Sequence, residues 1–172
     1  GKWIQSAIAA YSYNHDPELL AIIRNAVSGL ISTQMPNGYI GNYSDSAALQ
    51  HWDIWGRKYT LLGLLAYYDL TGDKASLASA KKVADHLLTQ VGPGKADIVK
   101  TGNYRGMPSS SILEPMVYLY LRTADNRYLD FAKYIVAQWE TPDGPKLLSA
   151  ALSGVPVSER FPHPSTWWSY EN

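Results

Sequence analysis

The feature that most constrains this chain is a threefold internal repeat. Residues 15–20 (His15-Asp16-Pro17-Glu18-Leu19-Leu20), 72–77 (Gly72-Asp73-Lys74-Ala75-Ser76-Leu77) and 124–129 (Ala124-Asp125-Asn126-Arg127-Tyr128-Leu129) align on an aspartate at 16, 73 and 125, at intervals of 57 and 52 residues. Before each aspartate runs an aromatic-rich apolar segment, as in Ala66-Tyr67-Tyr68 and Tyr118-Leu119-Tyr120. After each runs a segment with apolar residues at helical spacing, namely Leu20, Ile23, Val27 and Leu30, then Leu77, Ala80, Ala84 and Leu87, then Leu129, Ala132, Val136 and Trp139. Six helices are predicted, at about 3–13, 17–33, 53–71, 74–91, 110–123 and 126–140, with each aspartate capping the second helix of a hairpin. The hairpins are therefore expected at about 3–33, 53–91 and 110–140.

The two helices of a hairpin differ. From Tyr59 through Leu61, Leu62, Leu64, Leu65, Tyr67 and Tyr68 apolar groups cover nearly the whole circumference, which demands protein on every side. Its partner keeps Lys74, Lys81, Lys82 and Asp85 off an apolar stripe and so faces water on one side. First helices are expected to be inner and second helices outer. Inner-to-outer turns are tight, whereas the outer-to-inner connectors, about 34–52, 92–109 and 141–168, are long and rich in Gly, Pro, Ser and aromatics. Such connectors in a compact domain carry function more often than not. Tetratricopeptide and HEAT arrays repeat at roughly 34 and 40–47 residues, with short connections on both sides. A longer period and one-sided connectors instead give an all-α (α/α)6 toroid. Six hairpins at this spacing need roughly twice this length, so about three of six are expected here, half a barrel.

Composition narrows function. The 172 residues carry 15 basic and 15 acidic side chains, no cysteine and 46% apolar content. Zero net charge, without a run of Lys and Arg among aromatics, argues against nucleic acid as a partner. The longest mostly apolar stretch, 59–68, is far short of the roughly 20 residues of a membrane span. Disulfides and a cysteine nucleophile are excluded within this chain, and His15, His51, His86 and His163 show no metal spacing. The N-terminus has no export-signal pattern, which leaves localisation open. Thirteen Tyr and six Trp against two Phe suggest a half-wet cleft, because each joins a flat apolar face to a polar tip.

Three clusters fall at the mouths of inner helices. The first runs from Pro36-Asn37-Gly38-Tyr39 through Tyr43 to His51-Trp52-Asp53-Ile54-Trp55-Gly56-Arg57. Tyr39, Tyr43, His51, Trp52, Asp53 and Arg57 offer a sugar what it needs, a ring to stack on and polar groups for its hydroxyls. On a second reading Asp53 caps the helix, Arg57 pairs with it and both tryptophans are core. The second cluster, Tyr104-Arg105-Gly106-Met107-Pro108-Ser109-Ser110-Ser111-Ile112-Leu113-Glu114, sets Ser110 and Glu114 at the next mouth; a serine cap with Glu114 in a capping-box arrangement is expected. The third, Phe161 to Asn172, contains the adjacent Trp167 and Trp168, which diverge by about 100° on a helix, so that one faces the cleft or a neighbour. His86, on an outer helix, is expected to be solvated.

The run Asn37 to Tyr43, the block Trp52 to Leu88 with Gly56-Arg57-Lys58-Tyr59 and Tyr67-Tyr68-Asp69-Leu70-Thr71-Gly72-Asp73, and Asp125-Asn126-Arg127-Tyr128-Leu129 together resemble glycoside hydrolase family 127, the β-L-arabinofuranosidases. The resemblance covers the N-terminal part of that family's catalytic barrel. It implies a retaining hydrolase of plant-type or related glycans whose nucleophile is a zinc-bound cysteine and whose acid/base is a glutamate. In family order both lie beyond Asn172, so zinc is implied for a parent protein and no cofactor for this chain. By the same resemblance this chain supplies pocket lining, with Trp52-Asp53 at a matching segment, while Ser109-Ser110-Ser111 stands where better-known members place a pocket histidine. A secreted or periplasmic parent would suit the substrate. Expected partners are a carbohydrate and the remainder of the barrel, or a second copy through exposed inner helices. The alternatives are a non-catalytic helical-repeat module binding carbohydrate or protein, or a barrel enzyme acting on uronic acid sugars through Arg57, Lys58 and Arg105.

Overall fold

A computed structural model describes residues 1–156 and Glu159. The described chain is helical, its β-structure limited to an isolated bridge between Val91 and Ala96. Helices α1 (Lys2–Asn14) and α2 (Pro17–Ser32) form the first hairpin, and α3 (Asp53–Thr71) and α4 (Lys74–Gln90) the second. The third mouth holds a short α5 (Met107–Ser110), followed by α6 (Leu113–Thr123) and α7 (Asn126–Trp139). A further α8 (Leu147–Leu152) interrupts the last connector, where the sequence had suggested only loop.

Local chemistry sets the hairpin turns. Asp16, Asp73 and Asp125 each accept backbone N–H groups of the helix they precede, from Glu18, from Ala75 and Ser76, and from Arg127. The residues just before them, His15, Gly72 and Ala124, all close the preceding helix in the left-handed conformation, at φ 53°, 72° and 54°. Only the middle turn has the residue suited to that geometry. Gly72→Ala is expected to cost about 1 kcal/mol, and Ala124→Gly to stabilise by about 0.4–1 kcal/mol. Urea midpoints check both; a Gly at 124 that destabilises would show that the turn does not depend on this cap.

Helices α1, α3 and α6 pack side by side in one layer, with α2, α4 and α7 behind them. The α3 helix lies between neighbours on both flanks and behind. Ile54, Leu61 and Leu64 are fully enclosed and Leu65 nearly so, each contributing roughly 1.5–3 kcal/mol of burial. The outer layer is tied together where the Tyr128 hydroxyl donates to Asp85 at 3.0 Å. The stripe predicted for α7 is displaced: Tyr128, Phe131, Ala132 and Ile135 form the buried face. Leu129 and Val136 instead line, with Leu113 and Val117, an open apolar groove of about 340 Å³ between α6 and α7. The larger side chains of Tyr128 and Phe131 take the enclosed side, a choice that spacing alone does not make. On the outer edge of α6, Leu121 is 68% exposed.

The long connectors meet at one end. The Gly102 N–H of the second donates to the Leu49 carbonyl of the first at 2.8 Å, and Lys100 of the second pairs with Asp143 of the third at 2.8 Å. Asn37-Gly38 makes the sharp turn of the first connector, with Gly38 at φ 96°. A Cβ there would stand 2.5 Å from the Lys82 carbonyl, so this connector docks closely on α4.

Candidate functional site

The rim formed by these connectors surrounds the N-terminal ends of α3 and α6. It has a buried layer and an open one. In the buried layer Asp53 and Arg57, one turn apart on α3, are 2% and 1% exposed. Arg57 grips Asp53 with two bonds, Nε to Oδ1 at 3.2 Å and Nη2 to Oδ2 at 2.6 Å. Asp53 also accepts from the Tyr39 hydroxyl at 2.9 Å and from the Leu49 N–H at 2.8 Å. The remaining arm of Arg57 donates to Gln90 Oε1 at 2.6 Å and lies 3.4 Å from His86 Nδ1, both on α4. The guanidinium sits over the Tyr39 ring at 4.6 Å. Burial and the adjacent Arg57 hold the His86 imidazole below its ordinary pKa, and burial pushes the Tyr39 phenol up.

Of the two readings of Asp53 and Arg57, the geometry has the second one's pairing: Arg57 binds Asp53, and both are buried with their hydrogen bonds made within the protein, so that they brace the rim. The adjoining recess lined by Tyr39, Tyr43, Asp45, Arg57, His86 and Gln90 holds only about 10 Å³, the space of one water. One expectation is corrected: His86 is not a solvated surface residue but part of the brace. Sequence reasoning missed His86 and Gln90 as site residues. Their signal was available: two polar residues four apart, beside Val83 and Leu87 on the face of α4 that packs inward.

From the brace, bonds run outward. The Tyr39 hydroxyl accepts from the Tyr43 N–H at 3.1 Å, and the Tyr43 hydroxyl from the Trp52 N–H at 3.2 Å. Trp52 is half-buried and meets Trp55 edge-on at 5.4 Å between centroids and Tyr104 at 6.4 Å. Trp55 meets Tyr59 edge-on at 4.8 Å, and the Lys2 ammonium stands 4.7 Å from both rings. Both tryptophans are thus partly exposed rather than core. His51 is exposed. Lys58 pairs with Glu114 across the mouths of α3 and α6 at 3.3 Å.

The expected serine cap is absent. α6 starts at Leu113 after Ile112, without a side-chain cap; Ser110 closes the separate short α5 and is 1% exposed, its hydroxyl without a hydrogen-bond partner. Pro115 has no N–H to offer the Ser111 carbonyl, and the Ile112 N–H turns back to Ser109 at 3.1 Å and the Glu114 N–H to Ser111 at 3.4 Å, so the predicted 110–123 helix begins only at Leu113. Trp55 and Tyr59 join the rim although only their neighbours were singled out as contacts, and Lys58, named for the uronic acid alternative, stands there too. Trp167 and Trp168 lie outside the described residues.

Backbone strain collects here too. Among the described residues seven non-glycines have left-handed φ; two of them close hairpin helices, and four, Leu49, His51, Tyr104 and Arg105, are on the rim. For zinc the donor set is wanting: there is no cysteine, and no group of three His, Asp or Glu side chains among the described residues could hold a metal. No described helix is long and apolar enough to cross a membrane.

Two layers of helical hairpins with their long connectors gathered over the inner mouths define part of an (α/α) toroid with an aromatic rim. The chain belongs to the β-L-arabinofuranosidase family: the family model for the GH127 catalytic domain matches residues 1–162. It is 28% identical to the non-reducing end β-L-arabinofuranosidase of Bifidobacterium longum, over 78% of this chain and 22% of that protein. Its fold is similar to that of a GH127 β-L-arabinofuranosidase from Geobacillus stearothermophilus (TM-score 0.68, 21% identity, 90% of this chain and 25% of that one). It is also similar to a GH127 β-arabinofuranosidase (TM-score 0.61, 23% identity, 91% of this chain and 26% of that one). The chain thus spans about a quarter or less of the length of these relatives.

Proposed function

We propose that this chain lines part of the saccharide site of a retaining, exo-acting arabinofuranosidase-like glycoside hydrolase. The observation that carries the reading is the edge-to-face series Trp52, Trp55 and Tyr59 beside the Lys58–Glu114 pair, at the mouths of the inner helices. A furanose presents C–H faces, which stack on such rings, and hydroxyls, which suit a carboxylate and an ammonium. Tyr43 and the exposed His51 flank this surface, while Tyr39, Asp53 and Arg57 support it from below. A retaining enzyme needs an acid/base and a nucleophile, about 5–5.5 Å apart when both are carboxylates. Asp53 is saturated by its partners, so the catalytic pair is assigned outside this chain.

Calorimetric titration with methyl β-L-arabinofuranoside tests the reading. Trp55→Ala is expected to weaken binding roughly tenfold or more, since a stacked aromatic is the kind of anchor that dominates such contacts. Purified residues 1–172 should hydrolyse no aryl arabinofuranoside. Turnover by that chain, or unchanged binding in Trp55→Ala, would refute the proposal. Tighter binding of a uronic acid would favour the acidic-sugar alternative, for which Lys58 and Arg105 remain while Arg57 is committed to Asp53.

A second reading is favoured by two features of α6, the apolar groove between it and α7 and the exposed Leu121. An open apolar face of this kind meets another surface. We infer that the remainder of the barrel covers it, or a second copy of the chain when that is absent. Sedimentation of the 172-residue chain should then show association that Leu121→Ser reduces.

A further inference from the structure

We propose that Arg57, together with His86 and Gln90 of the outer helix α4, is a positioning residue that holds the strained segment from Leu49 to Trp52 in place through Asp53. The inference rests on the reading of the rim as a saccharide site and adds to it the part that sets the rim's shape.

The guanidinium is shared between layers. Two of its nitrogens bind Asp53 on the inner helix and the third meets Gln90 and His86 on the outer one. Asp53 passes this constraint to the connector at two points. One is the Leu49 N–H, on a residue held at φ 64°, where a branched side chain is strained. The other is the Tyr39 hydroxyl, from which the chain of bonds continues through Tyr43 to the Trp52 backbone. Leu49 relays it further, its carbonyl accepting from Gly102 of the second connector. The position of Trp52 is thereby tied, through three hydrogen bonds, to the ion pair and to α4 beyond it.

The charges give this device a signature that plain packing lacks. His86 faces Tyr39 and Asp45 from the connector and Asp53 and Arg57 from α3, with Gln90 on its own helix. While the imidazole is neutral its Nδ1 can accept from Arg57, and the buried pair is balanced. A proton on His86 sets a second positive charge against Arg57, which Asp53, already paired with Arg57, and exposed Asp45 offset only in part. The folded rim holds His86 below its ordinary pKa, so an opened rim binds the proton more readily. Opening therefore becomes easier as pH falls through and below the ordinary imidazole range, and does not change above it.

The experiment uses the full chain as wild type, His86→Gln and Tyr39→Phe. Amide exchange of Leu49, Trp52 and Gly102, corrected for intrinsic rates, is compared with that of interior α3 amides from about pH 7.5 to about pH 5, alongside calorimetry with methyl β-L-arabinofuranoside. In wild type, rim protection should fall roughly tenfold on acidification and sugar affinity roughly fivefold, while α3 interior amides hold; in His86→Gln both should be flat. Tyr39→Phe should lower rim protection at every pH without changing α3. Equal acid sensitivity in wild type and His86→Gln, or rim exchange untouched by Tyr39→Phe, would overturn the proposal. So would weakened rim protection with unchanged sugar affinity, since the brace would then be structural only. If wild type binds no sugar at any pH, the saccharide reading fails, and the exchange data alone decide whether the brace exists.

Discussion

Replacing Arg57 with methionine should lower the unfolding free energy by about 3–5 kcal/mol, because it strands the Asp53 carboxylate in a site from which water is excluded. The side chains of both partners are 1% exposed, and the pair is bidentate. Removing both charges together is a different matter. A well-packed apolar pair in place of a buried ion pair is often neutral or stabilising. Asp53→Leu combined with Arg57→Met should therefore recover a large part of the loss while still releasing the rim. Equilibrium urea unfolding of the two single variants and the double variant forms the necessary cycle. A loss under about 1 kcal/mol for Arg57→Met would mean that water reaches Asp53, and that the brace is weaker than its geometry indicates.

The other large effect belongs to the core. Leu64→Ala should cost about 2–5 kcal/mol, as the residue is wholly enclosed in a helix flanked on both sides and backed by α4, which leaves little room for the cavity to collapse. Leu121→Ala, on an inner helix as well, should stay within about 0.5 kcal/mol at concentrations low enough to keep the chain monomeric, for its side chain is 68% exposed in the single chain. Thermal or urea unfolding of the two variants reads the contrast directly. Comparable losses at both positions would show that α6 is covered on its outer side, and that the groove described above is closed in solution.

The site was only half legible before the fold was known. That the connectors before α3 and α6 would form one rim could be read from their lengths and from the tight turns at the opposite end. Tyr43, His51, Trp52 and Glu114 indeed stand there. What spacing could not show is depth. Asp53 and Arg57 look the same on paper whether they face a cleft or each other, and only the approach of α4, bringing Gln90 and His86 to the third guanidinium nitrogen, turns the pair into a buried brace. Ser110 is expected at the start of a helix that begins only at Leu113. Lys2 of α1 stands against the rings of Trp55 and Tyr59, a contact between residues more than fifty positions apart that local spacing does not contain.

By itself the sequence determined the hairpins: helical periodicity, the three capping aspartates and the left-handed residue before each of them act over a few neighbouring residues, and a helix needs no distant partner to prefer its start and stop. The tertiary structure alone decided which face of α7 is buried, which charges are sealed away and which rings stay wet. Those outcomes depend on volumes and dielectric surroundings supplied by other elements, and no local pattern contains them.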